Sequence, residues 1–144
     1  MTLAEPTVLP DVAVLHERRV PGCPAPIGQL WVGPGGVTVV GTDPVRRRDP
    51  VSLRGLVTAA ERHVDLVRAC LVQWGAGDVD VRGCLCPADL AGSSHPFAGL
   101  RVGAVPLLDP AGVARLARRP GALPAGRVTR LAELFAAALP STAR

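Results

Sequence analysis

The carboxylates and histidines that could bind a metal ion are spread through the first half of the chain. Asp43 and Asp49 flank a polar loop, and Glu17 and His63 lie on either side of that loop in sequence. Carboxylate oxygens are ligands that Mg²⁺ prefers, so these side chains are candidate ligands for a divalent cation. Their spacing forms no recognisable metal-site motif, and Asp43-Pro44 is also a common way to begin a turn. Both interpretations stay open.

Four cysteines, at positions 23, 70, 84 and 86, could bind a metal or undergo redox chemistry. Cys84 and Cys86 are two residues apart in a strand-like run, which predicts that both thiols lie on one face, about 7 Å apart. Zinc sites usually need two cysteine or histidine pairs, each with about two to four intervening residues. We expect Cys70 to pack over the sheet near Cys84 and Cys86. Core packing is the expectation for these thiols, with a metal or redox site as the alternative.

Arg46, Arg47 and Arg48 form the densest positive cluster, and a guanidinium group suits phosphate oxygens because it offers paired donors and stays charged. Phosphate contact is one interpretation, and a solvated loop balanced by Asp43 and Asp49 is the other. The chain has 16 arginines and no lysine, which excludes lysine bases, Schiff bases and phosphate-loop lysines. The excess of Arg, Ala, Gly and Pro indicates a GC-rich bacterial genome.

A Ser/His/Asp arrangement can be drawn from Ser93, Ser94, His95 and Asp89, but the segment lacks the nucleophile-elbow pattern. We therefore expect a connecting loop there. The glycines of Gly33-Pro34-Gly35-Gly36 are not followed by a helix, so they indicate a hairpin turn and not a phosphate-binding loop.

The elements that position these residues follow from hydrophobic periodicity. Short apolar, β-branched runs predict strands over 12–16, 27–33, 37–40 and 79–86, with a fifth inside 100–108. Apolar residues spaced three or four apart predict a helix over 53–74, preceded by Ser52 and closed by Gly75. Asp109-Pro110 and Pro124 each open a shorter helix. The order βββ-α-ββ-αα predicts an α/β fold with a mixed sheet of about five strands and packed helices.

Length and charge bound the function classes. A chain of 144 residues with 48 % hydrophobic residues has the size of one domain, residues 1–144, and can bury a core. No run approaches the roughly 20 apolar residues of a membrane span, and the first ten residues lack a secretory signal, so we expect a cytoplasmic protein with no membrane partner. Residues 1–109 carry a net charge of −1, whereas residues 110–144 carry +5. The basic end suits phosphate backbones or is a solvated helix face.

Four segments, VLHERRVPG, PIGQLWVGPGGVTVVGTD, HVDLVRACL and VRGCLC, together resemble the nuclease-related domain (NERD) of many bacteria, over about residues 12–108. The Gly-Pro-Gly-Gly-Val hairpin between two apolar strands is the most specific element of the resemblance. The resemblance implies the fold of the PD-(D/E)XK, or restriction-endonuclease-like, nucleases, without the N-terminal helix of the family. Such nucleases hydrolyse phosphodiesters with Mg²⁺ held by carboxylates.

The family's motif residues are replaced in this chain. The family's Asp before the hairpin matches Gly28, its acidic-x-Lys tripeptide matches Gly41-Thr42-Asp43, and its glutamine on the long helix matches His63. Both acids have become glycine, and the lysine has become Asp43. The resemblance therefore implies a pseudoenzyme, with no catalytic residue, no bound metal and no cofactor.

Three functions remain in competition. The first is a non-catalytic module in DNA processing, which binds DNA phosphates through Arg46, Arg47 and Arg48 or binds a protein partner or a second copy of itself. The second is an active metal-dependent nuclease with a rearranged site around Asp43, which would need Mg²⁺. The third is a purely structural assembly subunit, which the near-neutral charge of residues 1–109 favours.

Overall fold

The elements of the fold are defined in a computed structural model that describes residues 7–8, 12–23, 26–42, 52–86, 101–102 and 105–142. The described strands are β1 (Thr7–Val8), β2 (Ala13–Arg18), β3 (Ile27–Gly33), β4 (Gly36–Thr42), β5 (Val81–Cys86), β6 (Arg101–Val102) and β7 (Val105–Pro106). The described helices are α1 (Ser52–Gln73), α2 (Pro110–Ala117) and α3 (Ala125–Ala138). The α/β class predicted from the sequence is confirmed.

The first four strands form an antiparallel meander. The β3–β4 hairpin runs from Gly33 opposite Gly36 to Gln29 opposite Val40, which confirms the predicted hairpin. Its turn is shorter than the predicted four residues, because Gly33 and Gly36 pair and only Pro34 and Gly35 form it. Gly36 has a φ of 124°, a backbone conformation that is strained for any residue with a side chain. The predicted strand over 12–16 extends to Arg18, and β1 adds a strand beside it that the sequence did not indicate.

A crossover through α1 leads from β4 to β5, which is parallel to β4. The five-stranded sheet has the order β1-β2-β3-β4-β5. The strand predicted inside 100–108 is present in the described residues, but it does not join the main sheet. There β6 and β7 pair with each other as a separate ribbon, and only an isolated parallel bridge joins Leu107 to Leu85 of β5.

Helices cover both faces of the sheet. The main core lies between one face and the helices α1 and α3, where Val67, Leu71 and Phe135 pack against the apolar side chains of β2, β3 and β4. Trp74, just beyond α1, meets Phe135 edge-on at a ring-centroid distance of 4.8 Å. The opposite face has a smaller core, in which α2 contributes Val113. The helical periodicity read over 53–74 is confirmed, because its predicted apolar face is the face buried on the sheet.

Caps and short pairings hold the ends of the later helices. The Asp109 carboxylate accepts a hydrogen bond from the Gly112 N–H at 2.7 Å, which confirms the predicted start of α2. Pro124 directly precedes α3, also as predicted. Beyond α3, the chain pairs with the end of β2, since the Arg19 N–H donates to the Pro140 carbonyl at 2.7 Å.

Candidate functional site

The positions matched to the family's two acids lie at one end of the sheet, where β3 begins and β4 ends. Gln29 opposite Val40 is the last described pair of the hairpin ladder, and Gly28 and Gly41 are the next residues outward. The register is the one that counting outward from Pro34-Gly35 predicts. The hairpin therefore carries both glycines to the same end of the sheet.

Neither glycine has room for a side chain. A Cβ on Gly41 would lie 2.6 Å from Cδ2 of Leu85, which is fully buried, and 3.8 Å from the Ala60 Cβ. A Cβ on Gly28 would lie 2.7 Å from Cγ2 of Thr42 and would also meet its hydroxyl. Real Cβ atoms do not approach other atoms so closely, so a carboxylate at either position would require its neighbours to move. We call Gly28, Gly41, Thr42 and Leu85 the closed end.

His63, the position matched to the family's glutamine, is a buried polar side chain of α1. It is only 3 % exposed and lies one turn beyond Ala60, which packs over Gly41. His63 therefore lies on the buried side of α1, near the closed end.

A buried arginine lies at the same end of the sheet. Arg18 is 1 % exposed, pairs with Ile27 in the β2–β3 ladder, and donates from Nη1 to the Leu139 carbonyl at 3.2 Å. Burial lowers the pKa of its guanidinium. His16, two residues earlier, is exposed, so the alternation of β2 breaks at Glu17, whose φ of 50° is left-handed. Sequence alternation alone would have placed His16 and Arg18 on one face.

The predicted metal ligands are not assembled in the described part of the chain. Asp43 and Asp49 lie outside it, and Glu17 is exposed on β2. Among the described residues, no three histidine, cysteine, aspartate or glutamate side chains come close enough to hold a metal ion. The rearranged nuclease site around Asp43 thus stays a prediction.

The cysteines separate between the two faces of the sheet. Cys84 and Cys86 pack into the smaller core, as the spacing predicted, whereas Cys70 packs against the main core on the opposite face. The expectation that Cys70 lies near the other two is wrong. Helix α1 covers the main-core face of the sheet, whereas Cys84 lies on the opposite face. Burial is the main cause that raises the pKa of Cys84 to about 12, and it also raises the pKa of Cys86. Both thiols are therefore kept protonated.

An arginine organises the other end of the sheet, at the hairpin turn. Arg119 donates from Nη1 to the Thr38 hydroxyl at 2.7 Å and to the Leu116 carbonyl at 2.9 Å. Its Nη2 donates to the Val37 carbonyl and to the Asp80 carboxylate, both at 3.2 Å. Burial lowers its pKa, and Asp80 opposes that shift. Arg119 is thus a structural clamp between α2 and the sheet.

The basic end of the chain is only partly free to meet an anion. Arg127 forms a two-pronged ion pair with Asp78, at 2.8 and 3.0 Å, which raises the pKa of Arg127 and lowers that of Asp78. Arg115, Arg118 and Arg130 are exposed and in the described residues form no ion pair. The solvated-face interpretation therefore fits these three. Arg46, Arg47 and Arg48, and the segment with Asp89, Ser93, Ser94 and His95, lie outside the described residues.

Sequence reasoning missed a cleft at the edge of the sheet. A cleft of about 540 Å³ follows the outer edge of β5, and we call it the edge cleft. Its walls include Glu61, Asp65 and Arg68 of α1, Gly83 of β5 and Pro106 of β7. A signal was present, since Glu61 and Asp65 are one helical turn apart with the same charge. Nothing in the sequence indicated that β7 would leave β5 at this point.

Comparison of the chain with protein-family models, with curated proteins and with solved structures returns no match. No helix in the described part of the chain combines the length and the hydropathy that a membrane span requires.

Proposed function

We propose that this chain is a nuclease-related domain of the restriction-endonuclease-like type that has lost catalysis and acts as a nucleic-acid-binding or interaction module in DNA processing. The element arrangement supports the scaffold part of the proposal. An antiparallel hairpin brings the two motif positions together, and a helical crossover follows to a parallel strand. The motif segments 27–42 and 81–86 form adjacent strands of that arrangement.

The closed end is the observation that carries the loss of catalysis. A two-carboxylate metal site needs side chains at Gly28 and Gly41, and both spaces are filled by Thr42 and Leu85. Hydrolysis of a phosphodiester by this family's chemistry needs a metal ion held by such carboxylates. Glycine at both positions removes the two ligands, and at Gly41 the fully buried Leu85 also opposes a replacement side chain.

The catalytic part is tested by incubating supercoiled plasmid and single-stranded DNA with the purified chain and Mg²⁺ or Mn²⁺ at neutral pH. We expect no cleavage above a buffer control over a long incubation. Metal-dependent nicking that Asp43→Ala abolishes would overturn the proposal and support the rearranged nuclease. Nicking that survives Asp43→Ala would indicate a contaminating nuclease, which a second purification step removes before the assay is repeated.

The binding part rests on the chemistry of Arg46, Arg47 and Arg48. Three guanidinium groups on phosphates predict weak, sequence-independent binding, with a log–log salt slope of about −3 on duplex DNA. Binding is measured by fluorescence anisotropy on labelled duplexes at several salt concentrations. We expect the triple alanine variant of these residues to lose most of the binding and to flatten the salt dependence.

The matched control removes the same amount of charge elsewhere. Arg115 on α2, Arg118 at the C-cap of α2 and Arg130 on α3 are exposed, so their triple alanine variant loses three positive charges at described positions. We expect this variant to bind much like the parent. Equal losses in the two triple variants would indicate a general charge effect. A parent that does not bind even at low salt would favour the structural assembly subunit.

A further inference from the structure

Strand β5 is the last strand of the five-stranded sheet, so one of its edges faces away from β4. The Val37 N–H donates to the Asp80 carbonyl at 2.8 Å, and Val37 pairs with Val81 in the parallel ladder. In a parallel pair of strands, backbone groups of alternate residues point towards the partner. Those of Arg82 and Cys84 consequently face β4. Those of Val81, Gly83 and Leu85 face outward.

Two of the three outward carbonyls have described partners. The Leu85 carbonyl accepts from the Leu108 N–H at 2.8 Å, and the Val81 carbonyl accepts from Nη2 of Arg68 at 3.2 Å. The register set by the Leu85–Leu107 bridge would give the Gly83 carbonyl the N–H of residue 106. That residue is Pro106, which has no N–H.

The missing donor explains why β7 leaves β5 and why the edge cleft opens there. Its volume of about 540 Å³ is in the range that accommodates a small ligand or a short stretch of extended chain. The helical wall lies close to the strand, since a Cβ on Gly83 would be 2.8 Å from Cγ2 of Val64. The other side of the cleft is the outer edge of β5 at Gly83, where β7 does not pair with it. An open strand edge is a template for adding another strand.

The charges of the cleft favour a basic occupant. Glu61 and Asp65 repel each other at one helical turn, and neither has an ion-pair partner among the described residues. Arg82 is already engaged, because its Nε donates to Asp80 at 2.9 Å. Arg68 and Arg82 balance the two carboxylates, so the cleft is formally neutral. Both guanidinium groups are bound elsewhere, to the Val81 carbonyl and to Asp80, so the preference for a positive charge is local to Glu61 and Asp65.

We propose that the edge cleft binds an extended segment of a partner protein that carries a basic side chain. The segment adds to β5 as a strand, with a peptide N–H donating to the Gly83 carbonyl. Its basic side chain lies between the carboxylates of Glu61 and Asp65. This site is distinct from the closed end and does not depend on nucleic-acid binding.

The probe is a labelled peptide with the sequence Thr-Val-Arg-Val-Arg-Val-Thr, and its matched control carries glutamate in place of both arginines. Binding is measured by fluorescence anisotropy on the full chain at low salt. We expect the basic peptide to bind and the acidic peptide to bind at least about tenfold more weakly, since like charges face each other there.

Two variants test the two halves of the proposal. The neutral double variant Glu61→Gln with Asp65→Asn is expected to bind the basic peptide about fivefold more weakly. This is the effect expected from the loss of two exposed ion pairs. Its control is Glu17→Gln with Glu133→Gln, which removes the same charge at exposed positions elsewhere. The Pro106→Val variant restores an N–H at position 106, so β7 can pair with Gly83 and close the cleft. We expect it to bind the peptide at least about tenfold more weakly.

The matched control for the backbone variant is Pro120→Val, an exposed proline away from the cleft. Circular dichroism and thermal unfolding check that every variant is folded, and the carboxylate pair decides the matter if Pro106→Val is not. Equal binding of both peptides, undiminished binding to both cleft variants, or no binding to the parent at millimolar peptide would overturn the proposal. Concentration-dependent dimerisation that Pro106→Val abolishes would also overturn it, since the occupant would then be a second copy of the chain.

Discussion

Replacement of Gly41 by alanine is the direct test of the closed end. The new methyl group would lie 2.6 Å from Cδ2 of Leu85, a side chain that is fully buried between α1 and the sheet. Leu85 packs with Val57 and Ala60 of α1, so it cannot move away without disturbing that cluster. The substitution thus adds volume where the core is already filled.

The expected magnitude comes from two opposing effects. Overpacking a core by one methyl group costs about 1–3 kcal/mol. Replacing glycine by alanine also restricts the unfolded chain, which stabilises the fold by about 0.4–1 kcal/mol. We therefore expect Gly41→Ala to lower the free energy of unfolding by about 1–2 kcal/mol, or to lower Tm by about 3–8 °C in a chain of this size.

The assay is urea unfolding followed by the fluorescence of Trp31 and Trp74, which are both half-buried. The matched control is Gly126→Ala on α3, where a Cβ would meet nothing within 4 Å. That control should gain up to about 1 kcal/mol, because alanine is the better helix former. The double variant Gly41→Ala with Leu85→Val should lose less stability than the sum of its single variants, since the shorter side chain makes room.

The result that would refute the reasoning is a Gly41→Ala variant at least as stable as the parent. A double variant whose loss of stability equals the sum of the two single-variant losses would equally refute the contact between position 41 and Leu85. Either outcome would reopen the closed end to a side chain at this position. Only the missing carboxylates would then speak against a metal site at the closed end.

Three further expectations concern the rest of the fold. Arg119→Ala should cost about 2–4 kcal/mol of unfolding free energy in urea titrations, because it leaves the buried Thr38 hydroxyl without its guanidinium donor and removes the side-chain bonds to the Val37 and Leu116 carbonyls. The exposed Arg118→Ala should stay within about 0.5 kcal/mol. Asp109→Ala should cost about 1 kcal/mol through loss of the α2 cap, and Asp109→Asn much less; calorimetry that shows equal losses would argue against the cap. Because burial raises the pKa of Cys84 to about 12, its contribution is complete below about pH 9 and is lost as the pH rises towards 12. The unfolding free energy should fall by up to about 1.4 kcal/mol per pH unit in that window, and Cys84→Ala should flatten the slope.

The elements that sequence reasoning predicted well are those set by local interactions. The β3–β4 hairpin follows from Gly33-Pro34-Gly35-Gly36, and Gly36 alone accounts for the left-handed φ that closes it. The start of α2 follows from Asp109 three residues before the N–H that it caps. The buried face of α1 follows from the spacing of its apolar residues. In each case the deciding atoms are within a few residues of one another.

The candidate sites depended on contacts between distant segments, which periodicity does not specify. The hairpin register predicted that Gly28 and Gly41 lie at one end of the sheet, but only the packing of Leu85 showed that a side chain at Gly41 has no room. The pattern of α1 predicted a buried face but not which face of the sheet it covers, so Cys70 was assigned to the wrong side.

The edge of the sheet was decided by tertiary structure for the same reason. The apolar run 100–108 has strand character in isolation, and its partner is chosen by whichever backbone donors and acceptors meet in the folded chain. Pro106 withholds one donor, and only the parallel register of Leu107 with Leu85 makes Gly83 the residue that loses it. The sequence by itself determined the hairpin, the helices and the Asp109 cap of α2. Backbone pairing and side-chain packing between distant segments decided that the closed end is filled, that the edge cleft is open, and that Cys70 and Cys84 lie on opposite faces of the sheet.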